Sequence, residues 1–264
     1  IALNILGVPH RLSNGNDPYK SGWPLVGTLA FMLVVSLFCG GLVAVLLERI
    51  AYRPLRKRNA PRLVFLISAI GASFAMSEAV GHWGPKHTDD YALQRIFKKT
   101  KVFSVLGADV RNDYIFVVVG SLIMMAGLAL FVNRSRTGRG IRAVAQDMDT
   151  ARLMGVNVDL IILITFLVGG IMAGAAAFFF EVYNGSARYS LGFDLGVKAF
   201  TAAVLGGIGN IKGALLGGVV LGLAENYGSA VFGGQWKDVI AFGALLTVLM
   251  FRPTGILGEA LGKA

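Results

Sequence analysis

The 264-residue chain is 55% hydrophobic and only 15% charged, which excludes an ordinary soluble domain and indicates an integral membrane protein. Its net charge of +10 does not indicate nucleic-acid binding, because the basic residues concentrate in short loops beside apolar segments, where they set topology and meet anionic lipid headgroups. The single cysteine, Cys39, excludes a disulfide framework or a thiol-ligated metal site within one chain.

The N-terminal part of the chain predicts a loop and then a membrane span. Residues 1–22 contain a cluster of turn-forming residues at 14–18, which predicts an extramembrane loop. The first span is predicted over residues 24–47, since about 20 apolar residues cross a bilayer. Residues 48–62 carry six basic residues against one acid, so the positive-inside rule places them in the cytoplasm. Two prolines in this segment are expected to stop the helix.

Three further spans follow. They are predicted over residues 63–81, 114–132 and 160–180, each near the length of a bilayer crossing. Parity places the loop at 82–112 outside, and its basic part, 86–101, has no assigned role. Glycine and alanine are concentrated in the fourth span, so we expect an interior helix that other helices approach closely. Gly40 and Gly41 of the first span predict a similar contact.

The apolar segment at 199–226 has the polar residues Asn210 and Lys212 among glycines. A re-entrant or broken-helix hairpin is predicted here, because loop charges then agree with a cytoplasmic end after the last span at 238–251. One long tilted span is the alternative. The motif GGIGNIKG lacks the third glycine of a GxGxxG fingerprint, and no Ser or Thr follows its lysine as in a P-loop. A nucleotide site is therefore not predicted.

Two interpretations of this glycine-rich segment remain open. In the first, small residues four positions apart pack helices closely, as in the pairs Gly213 with Gly217 and Gly218 with Gly222. In the second, the backbone groups freed at a helix break line a substrate route, as in many transporters. The residues of this candidate route are Gly206, Gly207, Gly209 and Asn210.

Neither catalytic residues nor a metal site are predicted. The three histidines, His10, His82 and His87, fall in predicted outside loops without a metal-binding motif. No serine lies in a nucleophile-elbow pattern, and Glu78 is the only acid predicted within a span, which is too few for a proton relay of paired carboxylates.

The longest polar interruption in the second half of the chain lies at residues 133–159. Gly138 and Gly140 are expected to start a helix there, and Gly155 is expected to end a short helix that begins near Asp149. One interpretation is a solvated basic loop that only fixes topology. The order of acid, base, apolar residue and glycine favours a second interpretation, a docking surface for a cytosolic partner.

Within this interruption, Leu153 and Met154 would present an apolar knob beside charges that steer a partner. This expectation makes the loop a candidate site at which an external motor pushes on the membrane helices.

Four blocks of the chain, in this order, resemble the permease subunits of bacterial branched-chain amino acid ABC importers. They are ERIAYRPLR at 48–56, GRGIRAVAQDMDTARLMGVNVD at 138–159, the glycine-rich block at 192–226 and FRPTGILGE at 251–259. The resemblance covers roughly residues 23–259. Family members normally begin with further spans, so we expect this chain to lack N-terminal spans.

The spans and the resemblance together predict an all-α, polytopic inner-membrane protein. About five full transmembrane helices and the re-entrant or broken segment are expected within a single permease domain, residues 1–264. The resemblance implies ATP-driven import of leucine, isoleucine or valine, with no ATPase site and no bound cofactor in this chain. ATP and Mg would be used by partner subunits. A urea or amide importer permease, a stand-alone channel or secondary carrier, and a structural scaffold are the alternatives.

The resemblance also implies partners and contact residues. The partners are a second permease in a heterodimer, two ATP-binding subunits and an extracytoplasmic binding protein. Residues 146–156 match the loop that carries the EAA-type contact with the ATPase in ABC permeases. The implied coupling residues are Asp147, Asp149, Thr150, Ala151, Arg152, Leu153 and Gly155.

Overall fold

The computed structural model describes residues 23–58, 60–83, 91–92, 101–105, 108–187, 191–252 and 254–258. Within these ranges six helices are long and apolar enough to cross a membrane, which confirms the predicted polytopic all-α class. The predicted N-terminal loop and most of the basic segment at 86–101 lie outside the described residues. Two compact units, Ile1–Tyr189 and Ser190–Ala264, divide the chain, and the single-domain assignment stays a prediction.

The first unit contains most of the membrane helices. Its helices in chain order are α1 Trp23–Leu47, a π-helical turn Glu48–Tyr52, α2 Arg53–Lys57, α3 Arg62–Trp83, α4 Asn112–Arg134, α5 Arg136–Gln146, α6 Met148–Leu153 and α7 Val158–Asn184. Its strands form two small antiparallel sheets, in which β1 Tyr91–Ala92 pairs with β4 Ser186–Ala187 and β2 Lys101–Val105 pairs with β3 Ala108–Arg111.

Helices α1 and α7 pack closely through small residues. A Cβ added to Gly40 would overlap the carbonyl oxygen of Gly170, and one added to Gly174 would overlap that of Ser36. The Ser36 hydroxyl also donates a hydrogen bond of 2.7 Å to the Gly174 carbonyl. The predicted glycine contact of the first span and the predicted close approach of another helix to the fourth are therefore confirmed.

The helical path does not stop after the first span as the prolines predict. It continues through the π-helical turn into α2, where Pro54 occupies the first turn. Pro54 lies one residue after the wider π-helical pattern gives way to the α-helical one, and the helical path passes the proline without ending. The expectation of a helix break at Pro54 is therefore wrong, and the helical path reaches Lys57.

The second unit contains the predicted hairpin. It consists of α8 Leu191–Gly206, α9 Ile211–Phe232, a 3₁₀ turn Gly234–Trp236 and α10 Lys237–Phe251. The chain breaks between α8 and α9 at the glycines, so the broken-helix prediction is confirmed and the single tilted span is wrong. With 16 residues, α8 is about 24 Å long, whereas a bilayer core is about 30 Å thick.

The two arms of the hairpin touch through glycines. A Cβ added to Gly206 would overlap the Gly213 carbonyl, and one added to Gly217 would overlap the Ala202 carbonyl. Gly218 and Gly222 have open space where a Cβ would lie. The close-packing interpretation is therefore confirmed for Gly213 with Gly217. The second pair has no neighbour among the described residues, so for Gly218 with Gly222 the interpretation stays a prediction.

Candidate functional site: the loop between α4 and α7

The loop between α4 and α7 begins with the amphipathic helix α5. Ser135 is its N-cap and accepts a hydrogen bond of 2.8 Å from the Gly138 amide, so the helix starts before the two glycines expected to start it. Gly138 is buried where a Cβ would overlap the Val132 carbonyl, and a Cβ on Gly140 would overlap the Ile161 side chain. These glycines therefore allow α5 to lie against its neighbours.

Asp147 starts the next helix, α6. One of its carboxylate oxygens accepts hydrogen bonds of 2.9 Å from the Asp149 amide and 3.2 Å from the Thr150 amide. The Thr150 hydroxyl donates to the other oxygen at 2.6 Å. These bonds, the Thr150 hydroxyl first among them, lower the pKa of Asp147, so the cap is ionised at neutral pH. The short helix therefore begins at Met148, one residue before the predicted start.

Gly155 ends α6 in the left-handed conformation that glycine adopts easily, with φ of +81°. Its amide donates to the Arg152 carbonyl at 3.0 Å, and the Val156 amide donates to the Ala151 carbonyl at 3.0 Å. This pair of bonds is a Schellman motif. The predicted terminator is confirmed, and a six-residue helix is fixed at both ends.

The outer side of α6 carries the predicted apolar knob. Leu153 is 88% exposed and Met154 is 80% exposed, whereas Ala151 is only 4% exposed. Asp149 and Arg152, beside the knob, form an exposed ion pair at 3.4 Å. Burying the knob against a partner would remove two large apolar side chains from water, and the charges around it would orient that partner.

The second candidate region is the break between α8 and α9. Gly207 and Gly209 have φ of +110° and +94°, which explains why glycine occupies both positions. Asn210 is the N-cap of α9, since its side-chain oxygen accepts from the Gly213 amide at 3.1 Å. The same side chain donates to the Leu257 carbonyl at 3.1 Å. The four candidate route residues therefore form one tight turn.

The C-terminal segment of the second unit completes this turn. The Ile256 amide donates to the Leu205 carbonyl at 2.9 Å, and the Leu257 amide donates to the Gly206 carbonyl at 3.0 Å. These carbonyls belong to the last turn of α8, where helical partners are missing. In the sequence, the block at 251–259 stands out only through the family resemblance. The carbonyls at the end of a broken helix need hydrogen-bond donors in an apolar setting, and this need could have indicated that another segment donates to them.

An ion cluster in the second unit was missed by the sequence analysis. Lys198 of α8 lies 3.2 Å from the Glu225 carboxylate of α9 and 2.9 Å from the Asp238 carboxylate of α10. Charges within membrane helices usually pair with one another. Lys198 lies seven residues after the start of α8 at Leu191, whereas the sequence analysis places it in the preceding loop.

Comparisons with known proteins identify the family of the chain. A family described as branched-chain amino acid transport system, permease component, matches residues 10–249. The chain belongs to this permease family. No solved structure matches the chain.

Two of the similar proteins cover most of the chain and a third covers half of it. The high-affinity branched-chain amino acid transport system permease protein BraD of Pseudomonas aeruginosa is 46% identical over 216 residues, which are 81% of this chain and 69% of BraD. The corresponding protein LivH of Escherichia coli K12 is 39% identical over 244 residues, 90% of this chain and 76% of LivH. The autoinducer 2 import system permease protein LsrC of Yersinia enterocolitica is 33% identical over 142 residues, 50% of this chain and 39% of LsrC.

These relationships define the class of the permease. It is the membrane-spanning subunit of an ABC importer and a multi-pass protein of the inner membrane. Permeases of this class act with ATPase and substrate-binding partners.

Proposed function

We propose that this permease imports leucine, isoleucine or valine and receives the energy through α6. The observation that carries the coupling assignment is the apolar pair Leu153 and Met154, held in the open by a helix that Asp147 and Gly155 fix at both ends. Six residues of helix do not persist in water unaided, so this capping is what keeps the knob in one place. A rigid exposed knob suits a partner that pushes on it.

The proposed contact consists of the seven residues implied by the family resemblance. Asp147 and Gly155 set the ends of α6, Thr150 supports the cap, and Ala151 is the buried side that holds the helix to the loop. Leu153 meets the ATPase, and Asp149 with Arg152 orients it.

We further propose the composition of the importer. Two ATP-binding subunits, a second permease in a heterodimer with this one and an extracytoplasmic binding protein complete it. ATP and Mg are used by the ATP-binding subunits, and this chain has no ATPase site and binds no cofactor. The support is the membership in the ABC permease family together with the exposed position of Leu153, Asp149 and Arg152.

For the substrate route we propose the turn formed by Gly206, Gly207, Gly209 and Asn210. Irregular backbone at membrane depth is tolerated where it is buried in protein or lines a wet cavity. The carbonyls of Leu205 and Gly206 are occupied by the C-terminal segment. The groups that this turn offers a substrate are therefore those at its exposed tip, around Gly209.

The test is uptake by vesicles that contain the complete importer. Radiolabelled leucine and radiolabelled urea are compared with and without ATP. Leucine uptake that requires ATP and exceeds urea uptake supports the proposal. ATP-driven uptake of urea in preference to leucine would contradict the substrate assignment, and leucine uptake without ATP would contradict the energy source.

A further inference from the structure

A charged contact joins two distant parts of the first unit at the basic end of α1. One guanidinium nitrogen of Arg56 lies 3.1 Å from the Glu48 carboxylate and 2.9 Å from the Asp159 carboxylate. Glu48 belongs to the π-helical turn after α1, Arg56 belongs to α2, and Asp159 belongs to the first turn of α7. The three side chains therefore tie the end of α1 to the start of α7.

The three members of this contact differ in burial. The Glu48 side chain is 1% exposed and that of Arg56 is 17% exposed, whereas that of Asp159 is 51% exposed. A buried carboxylate without its cation is strongly unfavourable, so Glu48 holds Arg56 in place. The exposed Asp159 is the part that can be removed without leaving a buried charge unpaired.

Aromatic packing reinforces the same junction. The ring of Tyr52, in the π-helical turn, lies 6.1 Å from the ring of Phe65 in α3 and 5.0 Å from the ring of Phe166 in α7. A π-helical turn within a longer helix is rare and often marks a functional position. Here the turn places Glu48 beside Arg56, which contacts Asp159 of α7, and it places Tyr52 beside Phe166 of α7.

The junction lies directly after the proposed coupling helix. Gly155 ends α6, Asn157 caps α7 through a hydrogen bond of 3.1 Å from the Leu160 amide, and Asp159 is the next residue but one. A displacement of α6 therefore enters α7 at the residue that Arg56 holds.

We propose that Arg56 is a positioning residue that makes α1 and α7 move together when the ATPase displaces α6. This inference rests on the proposed coupling role of α6. An exposed ion pair usually adds little to stability. The Arg56–Asp159 contact therefore serves to pass movement from α7 to α1 and contributes little to folding. Without it, α1 and α7 would still touch near Gly40 and Gly174, but the end of α1 at Glu48 would no longer follow the start of α7.

The test uses Asp159→Asn in the complete importer, measuring leucine taken up per ATP hydrolysed. We expect this ratio to fall about fivefold, the lower end of usual coupling between sites, while subunit assembly and basal ATP hydrolysis stay at wild-type levels. Asp159→Glu restores the charge and should restore the ratio. The matched control is Asp109→Asn, which removes another exposed ion pair, the one with Lys101, and should leave the ratio unchanged.

Two results would overturn the proposal. The first is a wild-type ratio in Asp159→Asn. The second is a loss of assembly and ATP hydrolysis in parallel with uptake, which would make the contact a structural support only. A failure of the proposed coupling role of α6 gives a different result. Leu153 variants would then keep the wild-type ratio of leucine taken up per ATP hydrolysed and the wild-type assembly.

Discussion

The loop around α6 and the break between α8 and α9 both interrupt apolar helices with glycine in the left-handed conformation, yet they do opposite things with their surroundings. At α6, the Asp147 side chain caps the start of the helix, Gly155 ends it, and the apolar residues Leu153 and Met154 are exposed. At the break between α8 and α9, backbone amides of the C-terminal segment donate hydrogen bonds to the last carbonyls of α8, and Gly206 and Gly207 are buried.

The difference shows which kind of group each region depends on. Around α6 the fold depends on a few polar caps, so its exposed side chains are free to serve a partner. Around the break between α8 and α9, the fold depends on the close approach of the two helix backbones, which leaves no room for a side chain. Substitutions should therefore affect function first in the α6 loop and stability first in the hairpin.

The largest expected effect is on hairpin stability. Gly217→Val places a side chain against the Ala202 carbonyl and the Gly206 backbone, and overpacking of this kind costs about 1–3 kcal/mol. The neighbouring substitution Gly218→Val meets open space and is the matched control. Thermal unfolding of the purified permease in detergent should show a lowered midpoint for Gly217→Val only. Equal unfolding midpoints for the two variants would contradict the conclusion that the stability of the hairpin depends on close backbone contacts.

The next effect is on transport without a loss of stability. Leu153→Asp combined with Met154→Asp replaces the apolar knob by two charges that a partner would have to desolvate. We expect ATP-dependent leucine uptake to fall by about tenfold or more, since a contact of this kind contributes above 1.4 kcal/mol to docking. The unfolding midpoint should not change, because both side chains are exposed.

A conservative pair provides the control for the knob. Leu153→Met with Met154→Leu keeps the apolar surface and should retain uptake. Strong uptake by the double aspartate variant would mean that Leu153 and Met154 do not contact a partner and that the loop only fixes the topology of the chain.

The smallest effect concerns pH. Because hydrogen bonding lowers the pKa of Asp147 below its ordinary value of 3.8, the cap stabilises α6 above the unfolded value and is lost as pH falls through the lowered pKa. Amide hydrogen exchange of α6, corrected for intrinsic rates, should show constant protection between about pH 5 and 8. A progressive loss of protection across that range would show that Asp147 does not hold the helix.

Sequence reasoning predicted the parts of this permease that local chemistry decides. Glycine concentration predicted close helix contacts in the first and fourth spans and the broken hairpin, and the run from Asp149 to Gly155 predicted a short helix that ends at glycine. It failed at Pro54, because the hydrogen-bond pattern changes there from π-helical to α-helical and the helical path continues.

The remaining features depend on distant parts of the chain. Arg56 with Asp159, and Leu257 with Asn210, meet only after folding, and no spacing in the sequence announces such pairs. Lys198 was assigned to a loop because span boundaries were set by hydropathy, whereas α8 begins seven residues earlier.

The central claim, that α6 is the place where the ATPase pushes, is tested most directly by photo-crosslinking from position 153 in the assembled importer. A photoreactive residue there is compared with one at position 102, where Val102 is 55% exposed on β2, predicted to lie outside. The account predicts a crosslink to an ATP-binding subunit from position 153 and none from position 102. Absence of that crosslink from position 153 in a complex that contains the ATPase would contradict it.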